Sequence, residues 1–327
     1  MLSFVGIVAG LILLLLGGAA LVSGASQLAA RLGVPPMIVG LTIVGFGTSS
    51  PELVVNIIGG LEGQSALAFG NVVGSNISNL ALVLGAAALL QKIEIKGSVI
   101  RRELPLLLLV TTVMTVMALD NVLGGGVAKI DASDAVVLIM MFAIFIYITA
   151  QDVLLARSKD RLLDEVADYP LVRTGPASPW LWAYIIGGFV LLFVGGEMAV
   201  RYSVAFASDI GISTTIIGLF VVAVGTSLPE LVTSIMAAWR KESDLALGNI
   251  LGSNVFNSLI VLPVSALIGD VVIPEGGVDD LIVSWLLAAI LVPIFYLGNK
   301  ALGRGAGVML LAAYASYAVM RISGGVG

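Results

Sequence analysis

The chain has 327 residues, of which 59% are hydrophobic and only 11% charged, with a mean hydropathy of +1.10 and a net charge of −5. That composition belongs to an integral membrane protein and lies far from soluble globular chains. Histidine and cysteine are both absent, which excludes imidazole and thiolate chemistry, structural zinc, haem ligation and disulfides together, so any metal ion must be held by oxygen.

Apolar stretches of about 20 residues, each long enough to cross ~30 Å of hydrocarbon as a helix, recur along the chain. Alternating barrel strands are absent. The first, 3–24, has no positive residue ahead of its apolar core and is read as a retained helix, not a leader. The second, 37–60, is interrupted by GFGTSSPELV at 45–54, which brings glycines, hydroxyls, Pro51 and the ionisable Glu52 into a segment that otherwise reads as lipid-crossing. Segments follow at 66–90, 104–119 and 134–155, then at 180–203, 214–238, 244–268, 281–298 and 305–322. Between the two groups, the charges and prolines of 156–179 mark a linker.

At an offset of 178 residues the sequence matches itself. GTSSPELVVNIIGGLEGQSALAFGNVVGSNISNLALVLG (47–85) aligns without a gap on GTSLPELVTSIMAAWRKESDLALGNILGSNVFNSLIVLP (225–263), with 19 of 39 positions identical. Upstream, Gly17-Gly18 falls on Gly195-Gly196. The expected fold is therefore all-α and membrane-embedded: ten transmembrane helices as two five-helix repeats, 1–155 and 180–327, with broken helices at the centre. Thirteen of the sixteen Lys and Arg residues fall in the loops after segments 1, 3, 5, 7 and 9, which predicts that this side, including the linker, is cytoplasmic and that both termini are extracytoplasmic. Five segments per repeat make the second copy enter the membrane upside down, an arrangement that puts a transport site near mid-membrane between the halves.

The chemistry expected there is that of cations. Pro51 and Pro229 lack an N–H and so break the helical ladder toward Gly47 and Gly225, and bare carbonyls at membrane depth are tolerated where they line a cavity. A mid-membrane carboxylate costs ~2.5–3.5 kcal/mol, and Glu52 and Glu230 have no Lys or Arg nearby in sequence. Asn71, Ser75 and Asn79 share one helix face, and Asn249, Ser253 and Asn257 repeat the pattern. Such faces also serve simply to join helices, and the glycines of GNVVG and GNILG read as packing residues. Carboxylate, amide, hydroxyl and carbonyl oxygens together suit Ca²⁺, and Na⁺ would suit the same set. One Ca²⁺ or two Na⁺ would cancel both charges, so crossing the low dielectric is cheap only when the site is loaded.

The paired motifs GTSSPEL with GNVVGSNISN, and GTSLPEL with GNILGSNVFN, resemble the α-repeats of the calcium/cation antiporter superfamily, most closely its sodium/calcium exchanger branch in small prokaryotic form. The resemblance implies antiparallel five-helix halves packed around four adjacent cation sites. It makes Glu52 and Glu230 the carboxylates shared by Ca²⁺ and Na⁺, and Thr48 and Thr226 donors of backbone oxygens. Ser49, Ser227, Ser75 and Ser253 would serve sodium, with the carbonyls of Gly45 and Ala223, while Asn79 and Asn257 line the middle position. Some relatives, including the potassium-dependent branch, carry Asp where this chain has Asn257, and proton-coupled relatives show a GNATEL-like motif and a histidine, neither found here.

The expected function is Ca²⁺ exchange for Na⁺ by alternating access in a plasma or cell inner membrane, without a cofactor, enzymatic activity or nucleic-acid partner, and as a monomer. Segments 1 and 6 would slide past an eight-helix core on the surfaces of Gly17-Gly18 and Gly195-Gly196. Proton-coupled or potassium-dependent Ca²⁺ antiport, a cation channel and, last, an intramembrane carboxyl-dyad enzyme remain as alternatives.

Overall fold

The structure is a computed structural model that describes residues 2–63, 65–94, 99–119, 127–164, 179–209, 223–297 and 301–324. Apolar runs with no water to satisfy the backbone become helices, because only the helix closes all its hydrogen bonds within one segment. In chain order these are α1 (Leu2–Leu32), α2 (Pro36–Thr48), α3 (Ser50–Leu61), α4 (Leu67–Leu90), α5 (Leu104–Met117), α6 (Ala132–Asp164), α7 (Pro179–Asp209), α8 (Ala223–Thr226), α9 (Leu228–Trp239), α10 (Ser243–Ile268), α11 (Gly277–Leu297) and α12 (Arg304–Gly324). Six of them, α1, α4, α6, α7, α10 and α11, are each long and apolar enough to cross a membrane. The pair α2 and α3, bent by 41°, makes a seventh span when counted as one.

α6 runs on to Asp164, so the first residues of the expected linker are helical, and 165–178 lie outside the described residues. The start of the seventh hydropathy segment, 214–222, also lies outside them. Exposed apolar side chains cover the long helices, Phe4, Leu11, Leu15, Leu16, Met140 and Ile144 among them, as a lipid-facing surface requires. Trp180 and Trp239, at the start of α7 and the end of α9, are 76% and 72% exposed and suit the amphipathic membrane interface.

Two short antiparallel ladders supplement the helices. β1 (Ile93–Glu94) pairs with β4 (Ala301–Leu302), and β2 (Lys129–Ile130) with β3 (Val271–Val272). Each joins a loop of the first half to a loop of the second, and their inward residues Ile93, Leu302, Ile130 and Val271 are buried. The larger core cluster likewise mixes the halves, with Leu80, Leu84 and Leu107 packed among Leu259, Leu262 and Leu291.

A second cluster forms where α1 lies along α7, through Leu14, Leu21, Leu28, Ile185 and Leu192. The glycines set how close these helices come. A methyl group on Gly17 would stand 2.7 Å from the Leu192 nitrogen and 2.9 Å from the Gly188 oxygen. One on Gly10 would stand 2.7 Å from the Ala199 nitrogen and 2.8 Å from the Gly195 oxygen. The contacts Gly10 with Gly195 and Gly17 with Gly188 make the two helices antiparallel. Their partners also exchange under the 178-residue offset. Of the glycine pairs expected to form this surface, Gly17 and Gly195 do. Gly18 instead faces Val232 of α9, and Gly196 meets only a Leu14 methyl at 3.9 Å.

Gly195→Ala should therefore force the helices apart, at a cost of ~1–3 kcal/mol, and lower Tm in detergent. Gly196→Ala, with room for its methyl, should melt like the parent.

Asp131 begins α6 by accepting from the Ser133 hydroxyl at 2.5 Å, the Ser133 amide at 2.8 Å and the Asp134 amide at 3.2 Å. The Ser133 hydroxyl above all, then the Asp134 amide, holds its carboxyl below the usual range. Stabilisation from a depressed carboxyl is present above its unfolded value of ~3.9 and is lost as pH falls through the folded value. Amide protection in the first turn of α6, taken relative to the intrinsic exchange rate at each pH, should fall below about pH 4, and at neutral pH in Asp131→Ala.

Candidate cation site

The site begins with two matched helix breaks. Pro51 and Pro229 cannot donate to the preceding turn, and Ser49 and Ser227 leave helical geometry at φ −87°, ψ 8° and φ −87°, ψ 6°. The ladder restarts with the Leu53 amide on the Ser49 carbonyl at 3.3 Å and the Leu231 amide on the Ser227 carbonyl at 3.0 Å. Each break creates a new helix N-terminus inside the protein, and Glu52 and Glu230 sit in those first turns, where the unpaired N–H groups favour a negative charge. Both are buried, at 0% and 1% exposure.

α4 and α10 bring the second set of oxygens. Each contains a π-helical turn, Ser78–Val83 and Asn257–Val261, so Asn79 and Asn257 lie where the helix widens by a residue. Several membrane hydroxyls bond back to the carbonyl four residues earlier: Thr42 to Ile38, Thr111 to Leu107, Thr149 to Phe145 and Ser265 to Val261. The candidate site residues reach between helices instead. Ser49 donates to Glu230 Oε1 at 2.8 Å, and Thr48 to Asn249 Oδ1 at 3.1 Å. Ser253 lies 3.4 Å from the Thr48 hydroxyl, 3.2 Å from the Gly45 carbonyl and 3.5 Å from Glu230 Oε1. Asn79 donates to Asn254 Oδ1 at 3.0 Å.

These contacts draw Thr48, Ser49, Gly45, Glu230 and Ser253 into one network that crosses between the halves. Glu52 interacts with Glu230 electrostatically and has Ser75 beside it, at a separation short of a formed hydrogen bond. Thr226 and Ala223 lie in α8 just before the second break. Thr226, Ser227 and Asn257 make no hydrogen bond to the other candidates among the described residues. Ser50, whose counterpart is Leu228 and which the sequence left out of the site, turns its hydroxyl back to the Phe46 carbonyl at 2.9 Å.

The network is rich in acceptors. Both oxygens of Glu52, Oε2 of Glu230, Oδ1 of Asn79, both polar atoms of the Asn257 amide and the Ser227 hydroxyl are buried without a hydrogen-bond partner. No Lys or Arg among the described residues forms an ion pair with either glutamate. Among those residues there is also no cluster of three or more acidic groups. The oxygens gathered here are two carboxylates and several neutral groups, a donor set of the kind that fits hard ions.

Sequence reasoning put Asn71 and Asn249 on an oxygen-bearing face that could equally join helices, and left them off the site; the structure shows what they hold. Asn249 Nδ2 donates to the Glu230 carbonyl at 3.3 Å and to Ser234 at 2.9 Å. Asn71 Nδ2 donates to the Glu52 carbonyl at 3.4 Å and to Asn56 at 2.6 Å. Asn56 and Ser234 are themselves 178 residues apart, and that shared offset of polar positions was the signal available in the sequence. Asn76 and Asn254 were also missed as connectors: Asn76 donates to Ser258 at 2.9 Å, and Asn254 to the Asn76 carbonyl at 3.2 Å.

A family model described as sodium/calcium exchanger protein matches residues 2–151 and 180–323. The inner membrane protein YrbG of Escherichia coli is 34% identical over 320 residues, covering 96% of this chain and 95% of its own. The sodium/calcium exchanger MaX1 of Methanosarcina acetivorans is 29% identical over 345 residues, covering 97% and 98%. The solved structure of the sodium-calcium exchanger NCX_Mj, soaked with 2.5 mM Na⁺ and 1 mM Sr²⁺, superposes with a TM-score of 0.81 at 26% identity over 99% of this chain and 98% of that one. With its apolar spans, its internally repeated motifs and a match over nearly its whole length, the chain belongs to the sodium/calcium exchanger family and is a membrane-spanning ion antiporter of the calcium/cation superfamily.

Proposed function

We propose that this protein exchanges Ca²⁺ for Na⁺ by alternating access, through ten transmembrane helices arranged as two inverted five-helix repeats. The observation that carries the reading is the pair of buried glutamates with no basic partner among the described residues, each at a helix break and beside neutral oxygens. Two fixed negative charges are neutralised by one Ca²⁺ or by two Na⁺, so an empty site pays a desolvation penalty that a loaded one avoids. Coupling arises from that difference, since only loaded forms cross readily between access states.

Glu52 and Glu230 bind both ions. Thr48 and Thr226 contribute backbone oxygens, and Ser49, Ser227, Ser75, Ser253, Asn79, Asn257 and the carbonyls of Gly45 and Ala223 complete the cage. Support for the inverted arrangement comes from the antiparallel α1 and α7, whose glycine contacts exchange partners under the repeat offset. The close backbone approach along that contact, with a buried side-chain cluster joining the two helices, suits a pair that moves as one unit past the remaining core. The excess of Lys and Arg on one side puts both termini outside the cytoplasm. The internal repeat supplies both halves of the site, so one chain suffices. The amide of Asn257 leaves the site with two carboxylates and favours sodium over potassium or proton coupling.

In proteoliposomes, Glu52→Gln and Glu230→Gln should each abolish sodium-gradient-driven uptake of radioactive calcium, and near-normal uptake in both would overturn the site. With sodium, potassium and proton gradients imposed one at a time, calcium uptake should follow sodium alone. Calcium flux indifferent to every counter-ion would instead identify a channel.

A further inference from the structure

The two halves repeat the same motif residues, Thr48 with Thr226, Ser49 with Ser227, Glu52 with Glu230 and Asn71 with Asn249, but do not make the same contacts. Within each half the arrangement is matched: the Asn71 amide holds the Glu52 carbonyl and Asn56, and the Asn249 amide holds the Glu230 carbonyl and Ser234. Between halves it is not. Thr48 donates to Asn249 at 3.1 Å and Ser49 to Glu230 at 2.8 Å. Under the 178-residue offset the equivalent bonds are Thr226 to Asn71 and Ser227 to Glu52, and neither is formed. Ser227 and both Glu52 oxygens have no partner, while Asn71 and Thr226 are half-buried where Asn249 and Thr48 are 0% and 1% exposed.

Packing supports the closed side. Methyl groups on Gly248 and Gly252 would collide with the backbone of Met37, Gly40 and Leu41 in α2. The positions 178 residues further on, 215, 218 and 219, lie outside the described residues. One interface is therefore shut and hydrogen-bonded, while at its equivalent the two cross-half bonds are not formed among the described residues.

We propose that Asn249 and Asn71 are paired positioning residues of a latch, each fixed to the glutamate-bearing helix of its own half and accepting from the threonine of the other half in one access state only. Thr48 on Asn249 is the bond of the state seen here, and Thr226 on Asn71 is its replacement in the opposite state. The inference rests on the alternating-access reading above. Asparagine suits the task because Nδ2 carries two donors for its own half while Oδ1 stays available as an acceptor. An aspartate would lose the donors and an alanine both functions. Because each latch closes only when the end of α2 or α8 approaches α10 or α4, a ligand or mutation that favours one bond depopulates the other.

The chain has no cysteine, so spin labels at Phe4→Cys on α1 and Val127→Cys on an outer loop, both well exposed, report how α1 stands against the rest of the protein. Distances are measured on the full-length protein in nanodiscs without Ca²⁺ or Na⁺, so that lost cation ligation does not enter. Thr48→Val should shift the ratio of the two distance populations by roughly 2- to 10-fold away from the present state, the range expected for one net hydrogen bond. Thr226→Val, which removes a hydroxyl not engaged by Asn71 here, should shift the ratio the other way, and the Thr→Ser variant at either position should restore it. Shifts in the same direction, or none from Thr226→Val, would overturn the latch. A single unchanging distance in the unmutated site, with and without saturating Na⁺ or Ca²⁺, would overturn alternating access itself and the latch with it.

Discussion

A carboxylate carried into the centre of a bilayer must be met by hydrogen-bond donors or by a cation, and Glu52 and Glu230 are the groups on which that demand falls. Glu230 is partly answered by the protein, through Ser49 at 2.8 Å from the opposite half. Glu52 is not, and its two oxygens have no hydrogen-bond partner among the described residues. The remaining features of the centre follow from holding these two acids in place. The prolines break the helices so that each acid sits at a positive helix end. The π-helical turns widen α4 and α10 beside them, and the asparagine amides tie the backbone of each acid to its own half.

Hydroxyl groups show how the protein separates scaffold from site. A threonine in a lipid-facing helix is cheapest when it bonds to the carbonyl one turn back, and Thr42, Thr111, Thr115 and Thr149 all do so. Thr48, Ser49 and Ser253 sit at or opposite a break and bond across helices, Thr48 also within its own turn to the Gly45 carbonyl at 3.3 Å. Phe46 shows the opposite behaviour one residue from Gly45. Its ring stacks on Phe256 at 4.8 Å and meets Phe142 at 5.4 Å, an apolar backing that excludes water behind the polar network.

The glycines divide along the same line. Those of α1 and α7 let two backbones come close beside a buried side-chain cluster, whereas Gly248 and Gly252 bring α10 hard against the backbone of α2. The short ladders β1 with β4 and β2 with β3 tie loops of the two halves together.

Much of this was written in the sequence. Composition alone required membrane helices, the absence of histidine and cysteine required oxygen ligands, and the 178-residue offset exposed the duplicated motifs with Glu52 and Glu230. Those properties are local or periodic, and a linear reading reaches them. The extension of α6 to Asp164, the turning of Gly18 toward α9 and the work of Asn71 and Asn249 as clamps were not accessible in that way. Their meaning depends on which helix lies opposite, and an i, i+4 polar face looks the same whether it joins helices or holds a backbone carbonyl. The sequence by itself determined what the two halves share, since they repeat the same residues. Only the tertiary structure decided how they differ, because identical motifs packed against each other can close one equivalent contact while the other stays open.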